Sequence, residues 1–267
     1  MSHALLYDST KCVECEVCLL ACKMKWDLPE GGEDVLSDRT LTVLENHDGH
    51  PVRRMCMHCI EPACASVCPV GALQKTADGP VTYDASKCIG CRYCMVACPF
   101  GVPRYEWESP TPRVRKCVMC NDRVDQGKVP ACTLPCKVGA MKFGDRDELL
   151  NEAWDRIREN PGRYHPHVYG EKEVGGTSVL IIAAVPPEKL GLPVVPTDPL
   201  PKRTWQVLSR LPAVISVGAT FCLGMWWLIH RRDKIAEEDL IKVRSVPGVE
   251  LEHSALEGAG VEEEVQA

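Results

Sequence analysis

The chain has 267 residues, of which 45% are hydrophobic, so it is long and apolar enough for one or two globular units with packed cores. Its formal net charge is −6, and residues 233–267 account for this excess with ten acidic and three basic side chains. The nearly neutral remainder lacks the basic surface that nucleic acids require, which excludes a nucleic-acid partner. Only 6% of the residues are aromatic but 17 are cysteine, so thiols must fill part of the interior.

Sixteen of the 17 cysteines lie in four groups, here called motifs 1 to 4. Disulfide frameworks belong to small loop-rich chains with dispersed cysteines, so this clustering favours metal ligation. The motifs are C-x2-C-x2-C-x3-C (Cys12, Cys15, Cys18, Cys22), C-x2-C-x4-C-x3-C-P (Cys56, Cys59, Cys64, Cys68), C-x2-C-x2-C-x3-C-P (Cys88, Cys91, Cys94, Cys98) and C-x2-C-x11-C-x3-C (Cys117, Cys120, Cys132, Cys136).

The motifs belong to an internal repeat. LYDSTKCVECEVCLLAC at 6–22 aligns with TYDASKCIGCRYCMVAC at 82–98, and the motif 2 region at 56–73 aligns with the motif 4 region at 117–141. The order A–B–A–B indicates two joined copies of one two-motif unit.

The spacing distinguishes three kinds of metal chemistry. Three thiolates at x2 spacing wrap one cubane iron–sulfur cluster, and in the bacterial ferredoxin pattern the fourth cysteine binds the neighbouring cluster. Structural zinc uses two C-x2-4-C pairs on either side of a longer loop, which fits motif 4 alone but not motifs 1 and 3. A radical enzyme is the third alternative, but no motif has its C-x3-C-x2-C spacing. We therefore predict iron–sulfur clusters and no catalytic residues.

A helix and a strand follow the last motif. The segment 144–162 has acidic residues in its first turn, Pro161-Gly162 at its end and an apolar face at helical spacing, which predicts a packing helix. That face consists of Leu149, Leu150, Ala153, Trp154 and Ile157. The segment 177–185, TSVLIIAAV, predicts a buried strand.

The C-terminal third has the composition of a membrane anchor. Six prolines in residues 186–201 predict an extended spacer. Further along the chain, residues 211–229 are 19 uncharged residues, and the length of a helix formed by them matches a hydrocarbon core of about 30 Å. Trp226 and Trp227 stand near one end, where interfacial indoles are favoured. The predicted segments are 1–145 (cluster domain), 146–185 (packing helix and strand), 186–204 (Pro-rich stalk), 208–231 (transmembrane helix) and 232–267 (acidic tail).

Residues 4–195 resemble the four-cluster iron–sulfur subunit of membrane-bound respiratory oxidoreductases, above all the formate dehydrogenase and hydrogenase-2 types. The resemblance rests on CVECEVCLLAC, CMHCIEPACASVCPVGAL, YDASKCIGCRYCMVACPFGVPRYEW, RKCVMCNDR, GDRDELL and YGEKEVGGTSVL. It implies an α+β fold of two interleaved 2[4Fe–4S] ferredoxin-like modules related by a pseudo-twofold axis. Nitrate-reductase relatives carry Trp where this chain has Cys91, so four [4Fe–4S] clusters are expected.

The resemblance also implies a ligand set for each cluster, because motif 1 pairs with motif 4 and motif 2 with motif 3 in the family. The sets are cluster 1 (Cys12, Cys15, Cys18, Cys136), cluster 2 (Cys56, Cys59, Cys64, Cys98), cluster 3 (Cys88, Cys91, Cys94, Cys68) and cluster 4 (Cys117, Cys120, Cys132, Cys22). Motifs 1 and 4 have Lys23 and Lys137 where the other two have proline, which leaves their turn geometry open.

In the family, such a subunit carries electrons between a catalytic subunit, of molybdopterin, tungstopterin or nickel–iron type, and an integral membrane subunit that reacts with quinone or holds cytochrome b. Sulfoxide or polysulfide reductases, which also contain a molybdopterin, are the alternative setting. We expect a single-pass protein of the bacterial inner membrane, anchored in the lipid bilayer. The N-terminus shows no export signal. The basic residues flanking the span favour a periplasmic cluster domain, co-exported with its partner, and a cytoplasmic tail; the reverse orientation is the alternative.

Several side chains near the motifs have two interpretations each. His58 can tune a cluster or be an ordinary surface or supporting residue, and the latter is favoured. His165 and His167 flank a proline, which favours a packing loop over a metal site. Four basic residues either offset cluster charge or are solvated: Arg113, Arg115, Lys116 and Arg123.

Overall fold

The computed structural model describes residues 2–31 and 34–244. The chain divides into two compact units, and the boundary between them in sequence lies between Gln206 and Val207. The predicted acidic tail lies outside the described residues from position 245 onward. The strands are β1 His3–Asp8, β2 Val43–His47, β3 His50–Arg54, β4 Leu73–Lys75, β5 Val81–Tyr83, β6 Arg104–Tyr105, β7 Val114–Arg115, β8 Met141–Asp145 and β9 Val179–Ile182. The helices are α1 Val17–Trp26, α2 Ala63–Ser66, α3 Tyr93–Ala97, α4 Asn121–Val124, α5 Arg146–Glu159, α6 Leu200–Leu208 and α7 Leu211–Arg244.

A three-stranded sheet forms the centre of the first unit. Strand β1 lies in its middle, antiparallel to β8 and parallel to β9. Side chains alternate across β1, so that Leu5 and Tyr7 face the core that contains the cysteines, whereas Ala4 and Leu6 face α5. The sheet therefore separates the cysteine-rich core from the packing helix.

The predicted packing helix is α5. Asp145 caps it by accepting hydrogen bonds from the amides of Asp147 and Glu148, and Leu149, Ala153 and Ile157 are buried against the sheet. The predicted buried strand is β9, all four residues of which are buried. The helix α5 thus covers the face of the sheet opposite the motifs, and β9 forms one edge of that sheet.

Two strand pairs repeat the same local geometry. The β1–β8 pair sets Tyr7 opposite Met141, and the β5–β4 pair sets Tyr83 opposite Leu73, at equivalent positions of the sequence repeat. In each pair, the aspartate amide after the tyrosine donates to an alanine carbonyl at 2.8 Å: Asp8 to Ala140, and Asp84 to Ala72. The repeat is thus structural at these two points.

The first part of the predicted Pro-rich stalk does not leave the first unit. Residues Pro187–Leu190 form a 3-10 helix, Leu190 and Leu192 are buried in the core, and the Tyr169 hydroxyl donates to the Pro193 carbonyl at 2.8 Å. The Val174 amide donates to Pro196 O at 2.7 Å. Proline restricts the backbone as expected. The leucines between the prolines are nevertheless buried, because removing their apolar side chains from water lowers the free energy.

The second unit contains the candidate membrane anchor. Among the described residues, the stretch Leu200–Lys242 is the one helical segment long and apolar enough to cross a membrane, with a mean hydropathy of 1.7 in its most apolar window. None of that window is buried by other parts of the protein. The helix α7 continues past residue 231, the predicted end of the span.

Candidate metal centre

Strand pairing brings motif 1 to motif 4. Motif 1 follows β1 and motif 4 precedes β8, so antiparallel pairing of these strands sets the two loops side by side. Burial raises the pKa of the Cys18 thiol, and the neighbouring thiols of Cys132, Cys12 and Cys136 raise it further, against the opposing effect of Arg53. Cys15, the remaining member of set 1, is exposed and lines an open cavity of about 510 Å³.

The same pairing groups the thiols of set 4. Burial raises the pKa of Cys22 to about 12, and Cys132 and Cys120 are among its neighbours. Burial likewise raises the pKa of Cys117, with Cys22 and Cys132 as contributing neighbours. The fourth cysteine of motif 1 therefore lies with the first three cysteines of motif 4.

Motifs 2 and 3 meet through the β4–β5 hairpin. Burial raises the pKa of the Cys59 thiol, and three neighbouring thiols raise it further: Cys56, Cys98 and Cys64. The four thiols of set 3 line one small cavity: Cys68, Cys88, Cys91 and Cys94. In these two groups, three neighbouring cysteines come from one motif and one comes from the other.

Electrostatic interactions between thiols of different groups link the groups in the order 1–4–2–3. Cys18 of set 1 neighbours Cys132 of set 4. Cys117 of set 4 neighbours Cys56 of set 2. Cys64 of set 2 neighbours Cys94 of set 3.

The cysteines of each group stand too far apart for a single ion. Among residues 2–31 and 34–244, no three His, Cys, Asp or Glu side chains converge closely enough to hold one metal ion. A cubane cluster holds its thiolates around a body of iron and sulfide atoms, so its ligands stand further apart than those of one ion.

The backbone of each Cys-x-x-Cys loop fits an anion. The residue before the second cysteine has a positive φ in all four motifs, between 49° and 69°: Glu14, His58, Gly90 and Met119. Three of these residues are not glycine, and a side chain in this region costs on the order of 1–3 kcal/mol. A left-handed residue is one half of the αR–αL pair whose successive amide N–H groups bind anions at many iron–sulfur sites. The loops therefore suit an anionic thiolate-bound cluster.

Amide N–H groups also donate to the sulfur atoms. The Ala72 amide donates to Cys68 Sγ at 3.2 Å, and the Met141 amide donates to Cys136 Sγ at 3.3 Å. Hydrogen bonds of this kind stabilise the thiolate, which is the form that binds metal.

The fourth cysteine begins a turn in three motifs. Gly71, Gly101 and Gly139 each donate to the carbonyl of the cysteine three residues earlier and adopt a positive φ near 60°. Motif 4 makes this turn despite Lys137, whereas motif 1 does not, because Cys22 lies inside α1. Proline is therefore not required for the turn.

His58 is not a surface residue. Its side chain is fully buried, and Nδ1 accepts a hydrogen bond from the Val81 amide at 2.9 Å. Burial, followed by the nearby Lys116 and Lys75, lowers its pKa, so the imidazole is neutral. The proton of a neutral ring then lies on Nε2, which has no hydrogen-bond partner in the described protein. A buried unpaired donor is unfavourable by about 1–3 kcal/mol, so this atom fits an acceptor supplied by a bound cluster.

The basic residues divide by burial. Lys116 is buried and donates to the carbonyls of Val81 and Cys117, whereas Arg115 is half exposed and paired with Glu106. The sequence interpretation missed Arg53, which is buried in β3 beside the motif 1 and motif 4 thiols. The sequence has two adjacent arginines here, Arg53 and Arg54, and no local pattern indicates which of them is buried.

The histidine pair at 165 and 167 lies in a packing loop. His167 Nε2 is 2.8 Å from Glu173 Oε1, and the other carboxylate oxygen of Glu173 accepts from the Gly170 amide at 2.7 Å. Glu173 therefore fastens this loop to the turn that follows it.

Comparison with known proteins supports the presence of iron–sulfur clusters. A family model described as a 4Fe-4S dicluster domain matches residues 49–146. Hydrogenase-2 operon protein HybA of Escherichia coli O157:H7 is 35% identical over 89% of this chain and 87% of its own length. The nitrate-inducible formate dehydrogenase iron-sulfur subunit of Escherichia coli K12 is 34% identical over 82% of this chain and 81% of its own length. A protein of Nitratidesulfovibrio vulgaris Hildenborough is 40% identical over 89% of this chain and 70% of its own length.

These similarities and the cysteine groups define an iron–sulfur electron-transfer subunit of an oxidoreductase. The chain belongs to the family that includes HybA and the iron–sulfur subunits of formate dehydrogenases.

Proposed function

We propose that the chain binds four [4Fe–4S] clusters in the ligand sets 1 to 4 and carries single electrons between a catalytic subunit and a membrane subunit. The observation that carries this proposal is the fourfold recurrence of a positive φ directly before the second cysteine of the Cys-x-x-Cys loop. The bound clusters supply one-electron transfer, and the protein contributes their spacing, burial and hydrogen bonds.

The order 1–4–2–3 supports a path through the first unit. Each step joins neighbouring thiols of two sets, and both ends of the line reach the surface. At the set 1 end, Cys15 is exposed; at the set 3 end, Ile89 and Tyr93 are 65% and 60% exposed. We assign these ends to electron entry and exit.

The partners follow from the family. The names of the relatives refer to hydrogenase-2 and formate dehydrogenase, so we propose that substrate chemistry occurs in a separate catalytic subunit with a pterin or nickel–iron centre, and that this chain is non-catalytic. We further propose that α7 anchors the chain in the inner membrane beside a quinone-reactive or cytochrome b subunit, with the cluster domain periplasmic and the tail cytoplasmic.

Pairs of cysteine substitutions test the proposed ligand sets. Cys12→Ala should cost about four iron atoms per chain, and adding Cys136→Ala, in the same set, should cost no more. Adding Cys22→Ala instead, from the same motif but a different set, should raise the loss to about eight. Cys222→Ala in α7 is the matched control and should retain all iron. Equal losses from the two double variants would contradict the interleaved ligation.

A further inference from the structure

Arg53 carries a positive charge into the core of the first unit. It lies in β3 between Val52 and Arg54, and only 3% of its surface is exposed. Its Nε donates to Thr42 Oγ1 at 2.8 Å, and its Nη1 contacts Met141 Sδ at 3.4 Å. A guanidinium has five N–H donors, so these two neutral partners satisfy only part of its capacity.

Among the residues that the structure describes, no carboxylate pairs with this charge. The ion pairs of the described residues use other arginines and lysines, and Arg53 takes part in none of them. Moving an ammonium-sized or guanidinium-sized ion out of water costs several kcal/mol even after relaxation, unless an anion compensates it. The structure must therefore supply an anion of another kind.

The neighbours of Arg53 are cysteines of two ligand sets. The Met141 side chain contacts the guanidinium, and the Met141 amide donates a hydrogen bond to Cys136 Sγ of set 1. Cys132 and Cys22 of set 4 and Cys18 of set 1 also lie close enough to interact with the charge of the guanidinium. Arg53 thus stands at the junction between sets 1 and 4.

We propose that Arg53 is the shared counter-ion of clusters 1 and 4 and that it holds their reduction potentials up. This inference rests on the proposed four-cluster function. Reduction adds one negative charge to a cluster, and a fixed positive charge in a poorly solvated interior stabilises that added charge. One residue therefore favours reduction of two neighbouring clusters.

The test uses the intact complex, purified anaerobically in mild detergent, with three variants of the chain. Arg53→Gln removes the charge, Arg53→Lys keeps it, and Arg146→Gln is the control. The Arg146 side chain is also largely buried, at 13% exposure, but it donates to the Thr177 carbonyl away from sets 1 and 4. Iron and acid-labile sulfide are measured first, and a potentiometric titration followed by electron paramagnetic resonance then gives the four reduction potentials.

In Arg53→Gln, two of the four potentials should fall, each by at least a tenfold change in the reduction equilibrium, about 59 mV for one electron. Arg53→Lys should stay closer to the wild type than Arg53→Gln, and Arg146→Gln should match the wild type at clusters 1 and 4. Full iron content with four unchanged potentials in Arg53→Gln would overturn the proposal.

If Arg53→Gln loses iron, Arg53→Lys decides. Full iron in the lysine variant supports a requirement for charge, whereas equal loss in both variants overturns it, because size rather than charge then matters. A wild-type chain without about sixteen iron atoms would instead refute the four-cluster function itself, before any variant is compared.

Discussion

Asp8 and Asp84 occupy equivalent positions of the sequence repeat but have very different surroundings, which makes them a matched pair for substitution. Asp8 is fully buried at the end of β1, where its Oδ2 accepts from Arg156 Nη1 at 2.9 Å and from the Tyr164 hydroxyl at 2.9 Å. Its Oδ1 accepts from the Thr10 amide at 3.0 Å. Asp84, whose side chain is 45% exposed, keeps only the equivalent local turn and a surface ion pair.

Asp8→Ala removes one of the two carboxylates that pair with Arg156, which keeps Glu152, and it leaves the buried Tyr164 hydroxyl without its acceptor, at a cost of about 1–3 kcal/mol. For a unit of this size, about 2–4 °C is lost per kcal/mol, so the thermal midpoint should fall by roughly 2–12 °C. Heating the anaerobic complex while following the loss of visible absorbance measures this midpoint. Asp84→Ala should leave it almost unchanged. Equal midpoints for the two alanine variants would refute the reasoning from burial.

Three further predictions concern packing, the membrane and orientation. Gly79→Ala places a Cβ at 2.3 Å from the His3 carbonyl oxygen at a φ of +114°, so it should lower the same thermal midpoint by at least a few degrees. Leu223→Arg, inside the predicted span, should release protein from the membrane fraction, whereas Ile241→Arg on the same helix should not. A tag after Ala267 should resist protease added to intact spheroplasts; its digestion there would reverse the proposed orientation.

The sequence repeat predicted much of the site because it constrains distant parts of the chain. Aligned motifs must follow or precede equivalent strands, and β1–β8 and β4–β5 pair in the same way. The packing helix and the buried strand followed from apolar periodicity, a local property. The ligand sets came from the family resemblance, and the thiol neighbours in the structure are compatible with them.

The remaining features depend on contacts that no local pattern records. Arg53 and Arg54 are identical letters in one strand, but only Arg53 turns into the core. His58 accepts a hydrogen bond from the amide of Val81 in β5, which lies 23 residues away from it in the chain. The backbone preference of the proline-rich segment could be predicted from its composition. The burial of Leu190 and Leu192 could not, because it depends on the surface against which they pack.

Iron and acid-labile sulfide per chain test the central claim most directly. The tagged wild-type chain, purified anaerobically with its partners and corrected for their own metal content, should contain about sixteen of each, with a broad visible absorbance. About eight of each would limit the chain to the two clusters of one dicluster module. Zinc with little sulfide would contradict the account altogether.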